Sequence, residues 1–180
     1  DKISILLHHG VGFRMKSSLI ILDDIVDNFD ELQKNLLELL DGSGIRERWY
    51  NLDTEHPCAD ICLHLINVAR RYYNLDNCSG YEFWLHNNSR PSKWHIDKDE
   101  RMKHEKGILS FPLCTMVYYI FLDNVTDGKL ELRDVIIEPK NNRLIMFPSG
   151  IEHYVQPFSG KRVSLVVNPW DGSKYSYPES

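Results

Sequence analysis

The sequence predicts an α+β fold, with helices first and a strand-rich core after them. Three observations carry that prediction. Up to about residue 75, apolar residues recur at helical spacing. From Gly80 onward the texture changes to short β-rich runs. Turn-forming clusters separate those runs at short intervals. Helices followed by strands argue for helices flanking one sheet.

Residues 18–22 form a short apolar run of strand character. Asp27 suits the cap of a helix whose stripe is Phe29, Leu32, Leu36, Leu37, Leu39 and Leu40, with Gly42 and Gly44 ending it. Pro57 suits the first turn of a second helix, which carries Ile61, Leu65, Val68, Ala69 and Tyr72 on one side. Both stripes read as packing faces. Strands are predicted over 81–85, 113–122, 129–132, 135–137, 143–147, 154–155 and 162–167. The breaks are 87–92, Asp127-Gly128, 139–142, 148–150 and Ser159-Gly160. Many short strands with regular turns mean a sandwich or barrel, and a jelly roll is the natural closed form. The chain reads as one domain over 1–180: mainly helical support over 1–78, the strand core over 79–170, and a tail over 171–180.

Bulk properties narrow the function. A chain of 180 residues buries roughly 70% of its unfolded surface and needs no disulfide or structural metal to hold a core. The formal net charge of −5 supplies no global positive surface, so a nucleic-acid partner is not expected. Cys58, Cys62, Cys78 and Cys114 contain no C-x-x-C pair, which argues against a zinc finger and for reduced, buried thiols in a cytoplasmic protein. No apolar run approaches the ~18 residues of a membrane span. Residues 3–7 are too short for a signal-peptide core, so the N-x-S/T matches at Asn77, Asn87 and Asn124 read as chance.

The chemistry concentrates at Trp94-His95-Ile96-Asp97. On an extended segment residues i and i+2 share a face, so His95 and Asp97 can reach one ion together. His153 is the best third ligand, placed after the turn at 148–150 and before a strand. Two histidines and one carboxylate on one face of an octahedron leave three positions open, the arrangement of non-haem iron(II) oxygenases. Arg162 follows His153 at the start of the final apolar strand. Its planar fork matches a carboxylate bidentately. The remaining histidines, His8, His9, His56, His64, His86 and His104, read as structural or exposed. Trp94 reads as packing beside the site, with substrate stacking as the alternative. The charged stretch 98–106 reads as a solvated loop, with a lid over the substrate entrance as the alternative.

These pieces occur in a known order. Trp94-His95-Ile96-Asp97, Thr115 to Tyr119, Gly128 to Leu132, Ile137-Glu138-Pro139-Lys140 with Arg143-Leu144, and His153 to Pro157 with Arg162 together resemble the cupin-like double-stranded β-helix core of the iron(II)/2-oxoglutarate dioxygenases, prolyl 4-hydroxylase-like branch. The resemblance covers half of the chain. It implies metal roles for His95, Asp97 and His153, with Fe(II) as the metal and 2-oxoglutarate and O2 as co-substrates. It implies that Arg162, helped by the Tyr119 hydroxyl, binds the distal carboxylate of 2-oxoglutarate. Thr115 and Leu130 would line that pocket, and Ser164 completes an Arg-x-Ser pair. The implied activity is hydroxylation of an unactivated C–H in a prolyl, peptide or amino-acid substrate, with release of succinate and CO2. The sequence departs from the family in carrying Asp127-Gly128 where Gly-Gly is frequent, and in a longer linker from Asp97 to Thr115. A tyrosine common before the H-x-D has two competitors, Tyr81 and Trp84. Three rivals stand beside this reading: a cupin-type dioxygenase that does not use 2-oxoglutarate, a non-catalytic jelly-roll binding module, and an oxygenase acting on an alkylated nucleobase.

Overall fold

The computed structural model describes residues 4–6, 19–42, 48–86 and 92–172. His8, His9, Gly44, the turn residues 87–91 and the tail from 173 lie outside the described residues. In chain order the elements are β1 (Ser4–Leu6), β2 (Leu19–Asp23), α1 (Phe29–Gly42), β3 (Arg48–Asn51), α2 (Ala59–Ala69), β4 (Gly80–His86), α3 (Glu100–Lys106), β5 (Cys114–Asp127), β6 (Leu130–Leu132), β7 (Val135–Ile137), β8 (Arg143–Pro148), β9 (His153–Val155) and β10 (Phe158–Trp170). The fold is mixed α/β. The strands pair antiparallel in two sheets, ordered β1-β2-β8-β5-β10-β4-β3 and β7-β6-β9.

Period-two alternation divides the core into two layers. Met116, Tyr118 and Ile120 of β5, Leu144 and Met146 of β8, and Val163, Leu165 and Val167 of β10 face one side, where they pack with Leu36 of α1 and Ile61, Leu65 and Ile66 of α2. The alternate positions Val117, Tyr119, Ile145, Phe147 and Val166 face the small sheet, against Leu130, Leu132, Ile137 and Val155. Helices therefore cover one face of the large sheet, and the small sheet covers part of the other. The predicted stripes on α1 and α2 are packing faces, and all their residues join the helix-side core.

Special backbone positions shape the large sheet. At Gly160 (φ +86) an added Cβ would lie 2.3 Å from the Asn124 carbonyl oxygen, so only glycine fits this break in the β5–β10 register. Asp127 (φ +62) and Gly128 (φ +68) are both left-handed. These two residues carry the chain from β5 in the large sheet to β6 in the small one.

Several expectations are corrected. Beside α1 and α2, the N-terminal part holds more than the one expected strand. It supplies β1, β2 and β3 to the large sheet, where β2 pairs with β8 and β3 with β4. Helix α1 begins at Phe29, and the Asn28 carbonyl accepts from the Leu32 N–H at 3.1 Å. Asn28 is thus the cap in place of Asp27. Pro57 stands one residue ahead of the N-cap Cys58 rather than inside the first turn. The stretch 98–106 is a helix over most of its length, not a loop. Asp99 caps α3 by accepting from the Met102 N–H at 2.9 Å, Gly107 closes it in the left-handed region, and charges of favourable sign occupy each end. Strand β10 outruns its predicted 162–167 because β5 pairs with it back to Phe158 and β4 pairs with it forward to Trp170.

Candidate metal centre

His95 and His153 come together through the backbone. The His95 N–H donates to the His153 carbonyl at 3.0 Å, and the His153 N–H donates to the His95 carbonyl at 2.9 Å. This single antiparallel bridge joins the segment before α3 to β9 and sets the two imidazoles side by side, ring centroids 4.3 Å apart. Alternation turns Trp94 and Tyr154 to the other side of the bridge, where their rings lie 4.4 Å apart. Trp94 therefore packs on Tyr154, with 44% of its surface exposed.

One ligand atom from each of His95, Asp97 and His153 lies within 4.8 Å of the others. Asp97 Oδ1 is 3.5 Å from His95 Nε2 and 3.8 Å from His153 Nε2. Donors at right angles around an ion with bonds of about 2.1 Å sit about 3 Å apart, so the two carboxylate–imidazole distances need contract by less than an ångström each to hold one. The second contacts prepare each ligand. His95 Nδ1–H donates to the Lys93 carbonyl at 2.7 Å, and His153 Nδ1–H donates to the Ile151 carbonyl at 3.0 Å. Each bond places the proton on Nδ1 and leaves the Nε2 lone pair toward Asp97. Burial pushes His153 below the ordinary imidazole range, against the pull of Asp97, which favours the neutral, ligating form. Asp97 Oδ2 accepts from Thr115 Oγ1 and from Asn168 Nδ2, both at 3.1 Å. Its other oxygen is left for the histidines.

A cavity of about 90 Å³ runs from these histidines into the space between the sheets. Strand β10 sets its layout. Asn168 marks the metal end. Val166 makes the floor, flanked by Trp84 on β4 and Val117 on β5. Ser164 marks the far end, flanked by His86 and Tyr119. Four residues of strand separate the two ends, about 13 Å at 3.3 Å per residue.

Arg162 fills the far end and is only 1% exposed. Its Nη1 donates to His86 Nδ1 at 3.3 Å and to Ser164 Oγ at 3.1 Å, and its Nη2 donates to Tyr119 Oη at 3.4 Å. The Tyr119 ring lies 4.9 Å and the Phe158 ring 5.7 Å from its guanidinium carbon. Burial pushes the Tyr119 phenol up, so that side chain stays neutral. Of the five N–H groups of a guanidinium, three are committed among the described residues. The Nε–H has no partner there.

The predicted residues thus fall into two groups. His95, Asp97 and His153 converge with Thr115 behind them, while Arg162, Tyr119 and Ser164 converge at the far end. Leu130 lines the cavity. Thr115 sits against Asp97 rather than in the lining. Trp84 faces the cavity, and Tyr81 faces the helix-side core. His86 does not belong with the structural histidines: alternation along β4 puts it on the Trp84 face, against Arg162. Sequence reading also missed Asn168, a lone amide in an apolar strand with no local signal of a partner.

The sequence matches no protein-family model and no curated protein. Solved structures do match. A Pseudomonas putida prolyl-4-hydroxylase superposes with a TM-score of 0.60 at 16% identity, covering 86% of this chain and 88% of that one. A prolyl hydroxylase from Trichoplax adhaerens, in complex with a hypoxia inducible factor oxygen degradation domain peptide fragment, gives 0.62 at 18% identity, covering 90% and 87%. The chain has the prolyl hydroxylase fold. A viral collagen prolyl hydroxylase from Paramecium Bursaria Chlorella virus-1 shares it at 0.56 and 13% identity, covering 90% of this chain and all of that one. Within this prolyl hydroxylase fold, no described helix is long and apolar enough to cross a membrane, and all four cysteines are free and buried.

Proposed function

We propose that the chain is a non-haem iron(II)- and 2-oxoglutarate-dependent dioxygenase whose two sheets form a double-stranded β-helix. It hydroxylates an unactivated C–H of a prolyl, peptide or amino-acid substrate. The observation that carries this reading is a two-histidine, one-carboxylate donor set sharing a cavity with a buried guanidinium that, among the described residues, is bonded only to neutral groups. A buried charge without a counter-charge is costly, so Arg162 is made for an anionic ligand. His95, Asp97 and His153 would hold the iron, and Arg162 with Tyr119 and Ser164 would hold the distal carboxylate. When bound, iron(II) supplies the oxygen chemistry: one oxygen atom of O2 enters succinate as CO2 leaves, and the other enters the product hydroxyl. The chain's own residues do the rest. The two backbone carbonyls fix the imidazole tautomers, Thr115 and Asn168 aim the carboxylate, and Val117, Leu130 and Val166 keep the middle of the cavity dry.

A peptide substrate is favoured by the likeness to the Trichoplax adhaerens enzyme, which was solved with a peptide fragment. The buried free thiols suit a reducing compartment such as the cytoplasm. The decisive experiment adds iron(II) and 2-oxoglutarate without oxygen and follows the visible charge-transfer band of the chelate. The band is expected for the wild type and absent for Asp97→Ala. Arg162→Ala is expected to raise the 2-oxoglutarate concentration needed for half-formation by about 100-fold, from loss of a charge-assisted pair. An unchanged concentration for Arg162→Ala, or no band at all in the wild type, overturns the proposal.

A further inference from the structure

The guanidinium of Arg162 can be approached along two edges, and a ligand carboxylate can use only N–H groups that the protein has not taken. His86 and Ser164 both accept from Nη1. Nη2 gives one bond to Tyr119, and Nε gives none among the described residues. Among the described residues the Nε–H and one N–H of Nη2 are left over, and Nε and Nη2 share the edge that can present a bidentate fork to a carboxylate. We infer that His86 is a positioning residue of the anion seat: by holding Nη1, it fixes which edge of Arg162 meets the distal carboxylate of the co-substrate.

The inference rests on the reading of Arg162 given above and deepens it. A guanidinium has donors only, so His86 must present a bare Nδ1 to it and carry its proton on Nε2. The placement is built into the sheet. His86 is the last residue of β4 and stands directly across from Ser164 on β10. Ser164 stands across from Tyr119 on β5. The three acceptors thus form one row over three adjacent strands, and Arg162 reaches them from two residues before Ser164 on the same face. An imidazole ring is stiffer than a serine hydroxyl, so of the two Nη1 partners it is the one that resists rotation of the fork.

The test titrates 2-oxoglutarate, and separately pyruvate, into the full chain loaded with Co(II), without oxygen, by calorimetry. Pyruvate has the chelating end and lacks the distal carboxylate. His86→Leu is expected to weaken 2-oxoglutarate about 10-fold, the scale of one hydrogen bond to a charged group. Pyruvate affinity, Co(II) affinity and thermal midpoint should stay at wild-type values. His86→Asn, whose Oδ1 takes the place of Nδ1, should recover affinity to within about 3-fold of wild type. His86→Ala stands in for the leucine variant if that one does not fold. Wild-type affinity for 2-oxoglutarate in His86→Leu, equal losses for both acids, or no recovery in His86→Asn would each overturn the inference and leave the role of Arg162 standing. A wild type that binds pyruvate but gains nothing from the distal carboxylate of 2-oxoglutarate would overturn both.

Discussion

Asn168 shows how a single amide can set the quality of a metal site. A carboxylate only accepts hydrogen bonds, so the amide must turn its Nδ2 toward Asp97, as it does at 3.1 Å. That leaves its Oδ1 buried with no partner among the described residues, a cost justified only by what the other end does. Thr115 holds the same Asp97 oxygen from β5. With both in place, the carboxylate cannot rotate its second oxygen away from the histidines. Asn168→Ala should therefore lower Co(II) affinity by about 10-fold or more, the usual effect of losing a partner to a metal ligand, with a thermal midpoint close to wild type. A competition titration with a chelator reads the affinity directly. His95 and Asp97 were legible in the sequence because i and i+2 on an extended segment share a face. Asn168 and His86 were not, because their partners are set by strand register, which no local pattern encodes.

At the scale of elements, Asn142 ties three pieces of chain together. Its backbone is left-handed at φ +59. Its Oδ1 accepts from the Val26 N–H at 3.1 Å and from the Tyr118 hydroxyl at 2.9 Å, while its Nδ2 donates to the Val26 carbonyl at 2.8 Å. The link into α1, the strand β5 and the turn before β8 are thus fixed by one buried side chain. Asn142→Ala should cost roughly 3 to 4 kcal/mol, from buried groups left unpaired and from the strain of a left-handed alanine. Asn142→Gly should recover about 1 kcal/mol of that, since it relieves only the backbone. Urea midpoints separate the two contributions. The elements themselves were largely readable: β4, β7 and β8 fall within a residue or so of their predicted spans, because short apolar runs bounded by turn residues mark strands. Strand β3 was missed, since four residues of Arg48–Asn51 carry too short a pattern and become a strand only by pairing with β4. Helix α3 was misread although its signals were present, an Asp cap and a closing Gly, because a charged surface helix buries nothing and so shows no apolar stripe.

For the whole molecule, the question is what holds the N-terminal strands to a sheet made mostly from the C-terminal half. The sequence could not answer it, because β2 and β8 meet across more than a hundred residues. The seam ends in an ion cluster. Asp23 and Arg143 are register partners, joined by Nε to Oδ1 at 2.6 Å and Nη2 to Oδ2 at 3.0 Å. Lys140 adds a contact to Oδ2 at 3.0 Å. The hydrogen-bonded Arg143, helped by Lys140, holds the Asp23 carboxyl down at about 2. In the unfolded chain the same carboxyl titrates near about 3.9. A folded value below the unfolded one means that the stabilisation is fully present above about pH 4 and is lost as pH falls toward 2. The cluster is partly open to water, with Asp23 21% exposed, so screening limits its worth to about 1 kcal/mol. Asp23→Asn should then lower stability by about that amount at pH 7, and the gap to wild type should close between about pH 4 and pH 2. Other carboxyls titrate in the same range in both proteins, so the difference between the two unfolding curves is the quantity to follow. A gap that stays constant down to pH 2 would mean that the asparagine disturbs packing at the seam and that the charge itself contributes nothing to docking β2 on β8.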